Sequence, residues 1–139
     1  MTTKTKITIE TTVNAPVEKV WKFWNEPSHI NNWCTATPEW HTINAANDLK
    51  VGGKFSSRME AKDGSMGFDF GGVYDVVKTN EQIDYTMGDT RTVHILFSKE
   101  GNATKIVQTF EAESENPVEF QKAGWQSILN NFKSYVESN

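Results

Sequence analysis

The sequence predicts an α+β fold: a curved antiparallel sheet of about seven strands, two short helices after the first strand, and one long C-terminal helix. Three observations carry this. An opening segment alternates apolar and polar residues with a period of two. Between about residues 38 and 112 no helical period exists, and short apolar segments are separated by turn residues. Near the C-terminus an apolar stripe with helical spacing runs about 19 residues, or roughly 28 Å at 1.5 Å per residue, the length of a strand of eight or nine residues. One rod thus matches one sheet in size, and a strongly twisted sheet can wrap around it.

In "KITIETTV", Ile7, Ile9, Thr11 and Val13 share one side and Thr8, Glu10 and Thr12 the other, as in a half-buried strand. "NAP" follows. Pro16 is expected in the first helical turn, where its missing N–H has no intrahelical partner, with Asn14 or Ala15 as the cap. Val17, Val20, Trp21 and Trp24 then recur at three and four, giving a short helix one apolar face. Pro27 disfavours helix at the residue before it. A second short helix is expected through "PSHINNW", with Ile30 and Trp33 or Cys34 inward.

Six further strands are expected in "EWHTINAANDLK", "GGKFSSRMEA", "MGFDFGGVYDVV", "QIDYTM", "TVHILFSK" and "TKIVQTFEA". Asp63-Gly64, Asn80, Gly88-Asp89 and Gly101-Asn102 separate them, residues that close tight turns or tolerate positive φ. Phe55/Ser57/Met59, Phe68/Phe70, Ile83/Tyr85/Met87, Val93/Ile95/Phe97 and Ile106/Gln108/Phe110 alternate with polar partners, so one face is apolar and the other wet. For the last helix Asn116 is the expected N-cap, with Pro117 at the first helical position and Glu119 completing a capping box. Its stripe is Val118, Trp125, Ile128, Leu129, Phe132, Tyr135 and Val136.

Length and charge restrict the function. The 139 residues fit one domain, 1–139, large enough for a sizeable core. A net charge of −4, with 14 basic and 18 acidic residues mixed along the chain, leaves no basic stripe for a phosphate backbone, so nucleic acid is not an expected partner. Neither a membrane span nor the apolar segment of a signal peptide is evident, and a cytoplasmic location is expected. Cys34 is the only cysteine, which excludes an intrachain disulfide.

Gly124, beside Trp125 in the last helix, is the local anomaly, because glycine in a helix costs roughly 1 kcal/mol relative to alanine. It shares a flank with Gln121 and Ile128. Either it lets the helix backbone approach the sheet and gives Trp125 room to lie flat, or it opens a gap into an apolar cavity of the kind that takes small molecules.

The segments "APVEKVW", "NEPSHINNW", "DLKVGGKF", Asp63-Gly64, "GGVYDVV", "IDYTM", "TKIVQTF" and "GWQSILNNFKSYV" together resemble the heat-shock-protein ATPase activator-like (AHSA-like) family, in order and over nearly the whole chain. That family belongs to the START-like, birch-pollen-allergen-like (SRPBCC) superfamily. The resemblance implies the helix-grip fold, with the C-terminal helix closing a cavity, and brings in the activation of a chaperone ATPase. The family's eukaryotic co-chaperones carry a separate N-terminal domain that this sequence lacks. In this setting Gly52 and Gly53 mark a loop becoming a strand, and Gly71 and Gly72 a bulge or bend that curves the sheet, rather than a phosphate cradle, since neither pair opens a helix after a buried strand.

Phe55, Met59, Phe68, Phe70, Tyr85, Met87, Gly124, Trp125 and Ile128 are the candidate ligand-binding residues, on strand faces or the helix flank expected to look into the hollow. His94 joins them if "TVHILF" turns it inward; facing water it is a surface residue. Trp21, Trp24, Trp33, Phe110, Phe132 and Cys34 are read as core, and Arg58, Asp69, Asp75, Asp84 and Arg91 as mostly solvated, any one turned inward being a ligand anchor. His29, His41 and His94 are too scattered for a metal motif, and no nucleophile–base–acid set stands out, so neither metal nor cofactor is expected and no catalytic residue is assigned. The favoured function is non-enzymatic binding of an apolar or aromatic small molecule between sheet and helix. Two alternatives stand beside it: a co-chaperone-like protein partner that stimulates a heat-shock-protein ATPase, and a cyclase- or hydrolase-type enzyme acting in the cavity.

Overall fold

Seven antiparallel strands form one sheet, and each occupies a segment the alternation picks out. The structure is a computed structural model and describes residues 5–35, 37–88, 90–114 and 116–139. Asp89 of the Gly88-Asp89 turn and the first four residues of the chain lie outside them. In chain order the elements are β1 (Lys6–Val13), α1 (Val17–Asn25), α2 (Pro27–Trp33), β2 (Trp40–Asn47), β3 (Lys54–Ala61), β4 (Gly67–Lys78), β5 (Gln82–Met87), β6 (Thr92–Glu100), β7 (Ala103–Glu111) and α3 (Val118–Ser138). The sheet order is β1-β7-β6-β5-β4-β3-β2. From β2 to β7 every strand lies beside the next in sequence, as hairpin connections dictate, and β1 is brought in at the β7 edge.

The apolar sides predicted from alternation turn inward. Ile83, Tyr85 and Met87 on β5, Val93, Ile95 and Phe97 on β6, and Ile106, Gln108 and Phe110 on β7 are all buried. Curvature comes from local irregularities. The register of β2 against β3 breaks between Ile43 and Ala46, where Asn44 takes a φ of 55°, and that of β4 against β5 breaks between Tyr74 and Val76. The expected bulge at Gly71 and Gly72 is therefore displaced to Asp75. The two glycines serve close approach instead: a Cβ on Gly71 would lie 2.6 Å from the Phe55 carbonyl oxygen, and one on Gly72 would lie 2.5 Å from that of Thr86.

Both helix starts fall one residue later than expected. Pro16, not Asn14 or Ala15, caps α1, and its carbonyl accepts from Lys19 and Val20. Pro117 caps α3, and the Asn116–Glu119 box does not form. The Asn116 amide instead donates to the Glu113 carboxylate at 2.8 Å, and the Asn116 carbonyl accepts from the Gln121 side chain at 2.8 Å. A competing local partner has taken the capping group.

α3 packs unevenly along its length. Leu129, Phe132 and Val136 are buried, whereas Val118 is exposed and no residue from 122 to 128 is buried. Phe132 meets Trp24 and Trp33 edge-on, both ring centroids 4.8 Å away. From its middle onward the helix is tied to β1 and the residue after it: Gln126 donates to the Glu10 carbonyl, Lys133 to that of Thr12, and Glu137 accepts from the Asn14 N–H. The C-terminal half thus completes the core, and the N-terminal half bridges a hollow.

Candidate functional site

The hollow under the N-terminal half of α3 is an apolar cavity of about 540 Å³. Aromatic rings make most of its wall. Phe55 stands edge-on to Tyr85 at 4.7 Å and lies 5.2 Å from Tyr74. Trp125 stacks flat on Phe110 at 4.0 Å, with Phe70 at 6.4 Å. These contacts brace rings that already bury much of their surface, so the wall keeps its shape without a guest. α1 and α2 close one side through Trp24, Ile30 and Trp33. The Trp33 indole donates to the Phe23 carbonyl at 2.9 Å, which fixes its ring.

Gly124 lies in the wall, and a Cβ built on it would meet nothing within 4 Å. The close approach of helix to sheet, one of the two accounts of this glycine, is therefore absent. The missing side chain borders open space.

Eight of the ten candidate residues line the cavity: Phe55, Met59, Phe68, Phe70, Tyr85, Gly124, Trp125 and Ile128. Phe68 does so from the mouth, 48% exposed and 5.9 Å from Trp40. Met87 does not line it; it is buried in the surrounding core. His94 is corrected outright. It alternates with buried Val93 and Ile95 and so lies on the opposite face of the sheet, its Nδ1 2.6 Å from the Asp84 carboxylate. Asp69, Asp75 and Arg58 also bond outside the cavity: Arg58 pairs with Glu60 and Asp69, and Asp75 accepts from Thr86.

Trp24, Trp33 and Cys34, read from the sequence as core, also face the cavity. So do Trp40, Tyr74, Gln108, Gln121 and Phe120, which carried no ligand-binding expectation from their own positions, and Arg91, the one of the five charged residues read as mostly solvated that lines the hollow. For Gln108 a signal was available: a polar amide in the apolar row Ile106/Gln108/Phe110 has to face something other than plain core. Arg91 sits just before β6, and its guanidinium reaches the Glu111 carbonyl at 3.5 Å. Gln121 is structural. Its Nε2 donates to the carbonyls of Glu113 and Asn116, and its Oε1 accepts from the Glu113 N–H, clamping the loop that enters α3.

Three of the cavity's titratable groups, Cys34, Tyr74 and Tyr85, are held neutral. Burial pushes the Cys34 thiol up to about 12, opposed by a hydrogen bond with Thr42. Burial also raises both tyrosines: Tyr74 donates to Asn47 Oδ1 at 2.6 Å, while Tyr85 is raised further by neighbouring Cys34 and Tyr74 and drawn down by Arg91. A half-buried thiol without its thiolate is a poor nucleophile. Among the described residues no group of three or more His, Cys, Asp or Glu could hold a metal ion, and no helix is long and apolar enough to cross a membrane.

A curved antiparallel sheet gripping one long helix over such a hollow defines a helix-grip domain of the START-like class. The family model described as "Activator of Hsp90 ATPase homolog 1-like protein" matches residues 14–137, and the chain belongs to that family. Among solved structures it is similar to an AHSA1-like protein from Aeromonas hydrophila, at 43% identity over 96% of this chain and 93% of that one, with a TM-score of 0.91. A protein from Cytophaga hutchinsonii is 62% identical over the same shares, with a TM-score of 0.83. One from Chromobacterium violaceum shares the fold at 22% identity, covering 97% of this chain and 99% of that one, with a TM-score of 0.86. No curated protein matches.

Proposed function

We propose that this protein binds an apolar or aromatic small molecule in the cavity between sheet and α3, without chemical conversion. The observation that carries the reading is the unfilled 540 Å³ hollow beside Gly124, within the range of small-molecule sites and walled chiefly by aromatic side chains. A larger residue in that position would have taken part of it. Catalysis would need a base or nucleophile in the hollow; Cys34, Tyr74 and Tyr85 are all pushed away from ionisation at neutral pH by burial, and the Glu113 carboxylate at its edge accepts from the backbone N–H and the side-chain amide of Asn116. Thermal unfolding across a panel of hydrophobic ligands tests the reading, because a molecule selective for the folded state raises stability with its concentration. No response to any member would remove it.

Family membership supports a second reading, a partner role at a heat-shock-protein ATPase. Exposed Phe120 and Met66, 68% and 67% accessible, are apolar groups a partner surface could use. The reading predicts a changed ATPase rate when the protein is added to its cognate chaperone. An unchanged rate sinks it.

A further inference from the structure

Three buried polar side chains of the cavity wall, Ser57, Gln108 and Tyr85, bond to none of the described residues, and Gln108 and Tyr85 are the two that reach farthest from the backbone. Gln108 is 6% exposed and projects from β7 on the inward row between Ile106 and Phe110, lining the hollow. Among the described residues none bonds to its amide. Tyr85 is 7% exposed, projects inward from β5 and likewise lines the hollow, and none of the described residues bonds to its hydroxyl. Among the described residues, Asn25 Oδ1 is the one side-chain polar atom with neither a partner nor accessible surface. The amide of Gln108 and the hydroxyl of Tyr85 therefore open onto the cavity.

Buried polar groups are nearly always hydrogen-bonded, and leaving one unmet is costly, so two of them facing one apolar hollow require an explanation. Packing supplies none, because a leucine at position 108 and a phenylalanine at 85 would continue the apolar rows. Both groups are uncharged and each can donate and accept. Gln108 lies opposite Ile95 on β6, and Tyr85 opposite Val93, so the two stand two strands apart and offset by two residues. With strands about 4.8 Å apart, that separation suits two oxygens on one small ring system better than a single shared atom.

Resting on the binding function proposed above, we propose that Gln108 and Tyr85 are the polar anchors of the site, and that its ligand is an uncharged aromatic molecule carrying hydroxyl or carbonyl oxygens. Gln108 gives its N–H to a ligand oxygen or takes a ligand O–H; Tyr85 does the same at the second position. The aromatic wall holds the ring system, and the two anchors set which oxygenated ring is accepted. A carboxylate is disfavoured, since an ion entering this apolar interior gives up its hydration and the Arg91 guanidinium in the wall already reaches the Glu111 carbonyl.

The test uses the full chain and four probes with one skeleton: biphenyl, 4-hydroxybiphenyl, 4,4′-dihydroxybiphenyl and biphenyl-4-carboxylate. Trp24, Trp33, Trp40 and Trp125 line the cavity, so quenching of intrinsic fluorescence reports binding. In the wild-type protein each hydroxyl is expected to tighten binding roughly fivefold, the size of a net hydrogen bond. Gln108→Leu and Tyr85→Phe should each abolish the gain from one hydroxyl, so that in either variant 4,4′-dihydroxybiphenyl binds only about fivefold, not about 25-fold, tighter than biphenyl. A merely structural role would shift all probes together. Equal affinity for biphenyl and its dihydroxy form, a preference that survives in both variants, or tightest binding of the carboxylate overturns the anchors and leaves the cavity as a plain apolar site. Failure of every probe to bind overturns the anchors and the binding function alike.

Discussion

Replacing Gly124 with leucine separates an open cavity from a packed helix. Glycine costs about 0.8 kcal/mol relative to leucine-like residues inside a helix, so the substitution recovers about that amount from the backbone. A Cβ at this site meets nothing within 4 Å, so the new side chain enters the hollow without displacing a neighbour. Partial burial of its apolar surface adds about 1 kcal/mol, and restricting its rotamers takes back about 0.5 kcal/mol. The net gain is about 1 kcal/mol, and for a chain of this length that raises Tm by about 3–4 °C. The same side chain occupies ligand space, so affinity for biphenyl-type probes should fall at least about tenfold, equivalent to about 1.4 kcal/mol. Thermal unfolding by circular dichroism and fluorescence titration give the two readouts on one sample. A Tm that falls by several degrees with probe affinity unchanged would refute the reasoning, because it would place the helix backbone against the sheet at Gly124.

Tyr74→Phe removes the hydroxyl that donates to Asn47 Oδ1, while Asn47 Nδ2 holds the Asn25 carbonyl at 2.7 Å; the expected loss is about 1–2 kcal/mol, seen as a Tm lower by about 3–7 °C. Cys34, with its thiol pushed up to about 12, should resist alkylation by iodoacetamide at pH 8 in the folded protein and react at once in denaturant, a contrast that intact mass reads directly. The Glu137 carboxyl is held below its ordinary value of 4.5 first by Lys133 and then by the Asn14 N–H, so its contribution is complete above that value and lost as pH falls through the depressed one. Glu137→Gln should therefore flatten the acid limb of a Tm-against-pH curve and leave its shape above about pH 5 unchanged.

Segments with a repeating signal were legible in the sequence. The alternation in "QIDYTM" and "TKIVQTF" placed β5 and β7 and the faces they bury, because a strand's side chains reverse at every residue and only one face meets the core. The start of α3 was misplaced by one residue because Asn116 had two partners within reach, and sequence alone does not say that Glu113 takes its amide. His94 illustrates the same limit in a strand: its own type permitted either face, and the register Asp84↔His94 put it outside with a carboxylate beside it.

The sequence by itself determined the order of strands and helices, the inward rows, and the presence of a glycine where a helix would prefer a side chain. Only the tertiary structure decided that Gly124 borders a void, that Trp24 and Trp33 from the short helices help wall it, and that Gln108 and Tyr85 face it without partners. The reason is physical. Periodicity follows from the geometry of a single chain segment, whereas a cavity is the space left between segments brought together from opposite ends of the chain, and its dimensions depend on sheet curvature and helix placement that no one segment encodes.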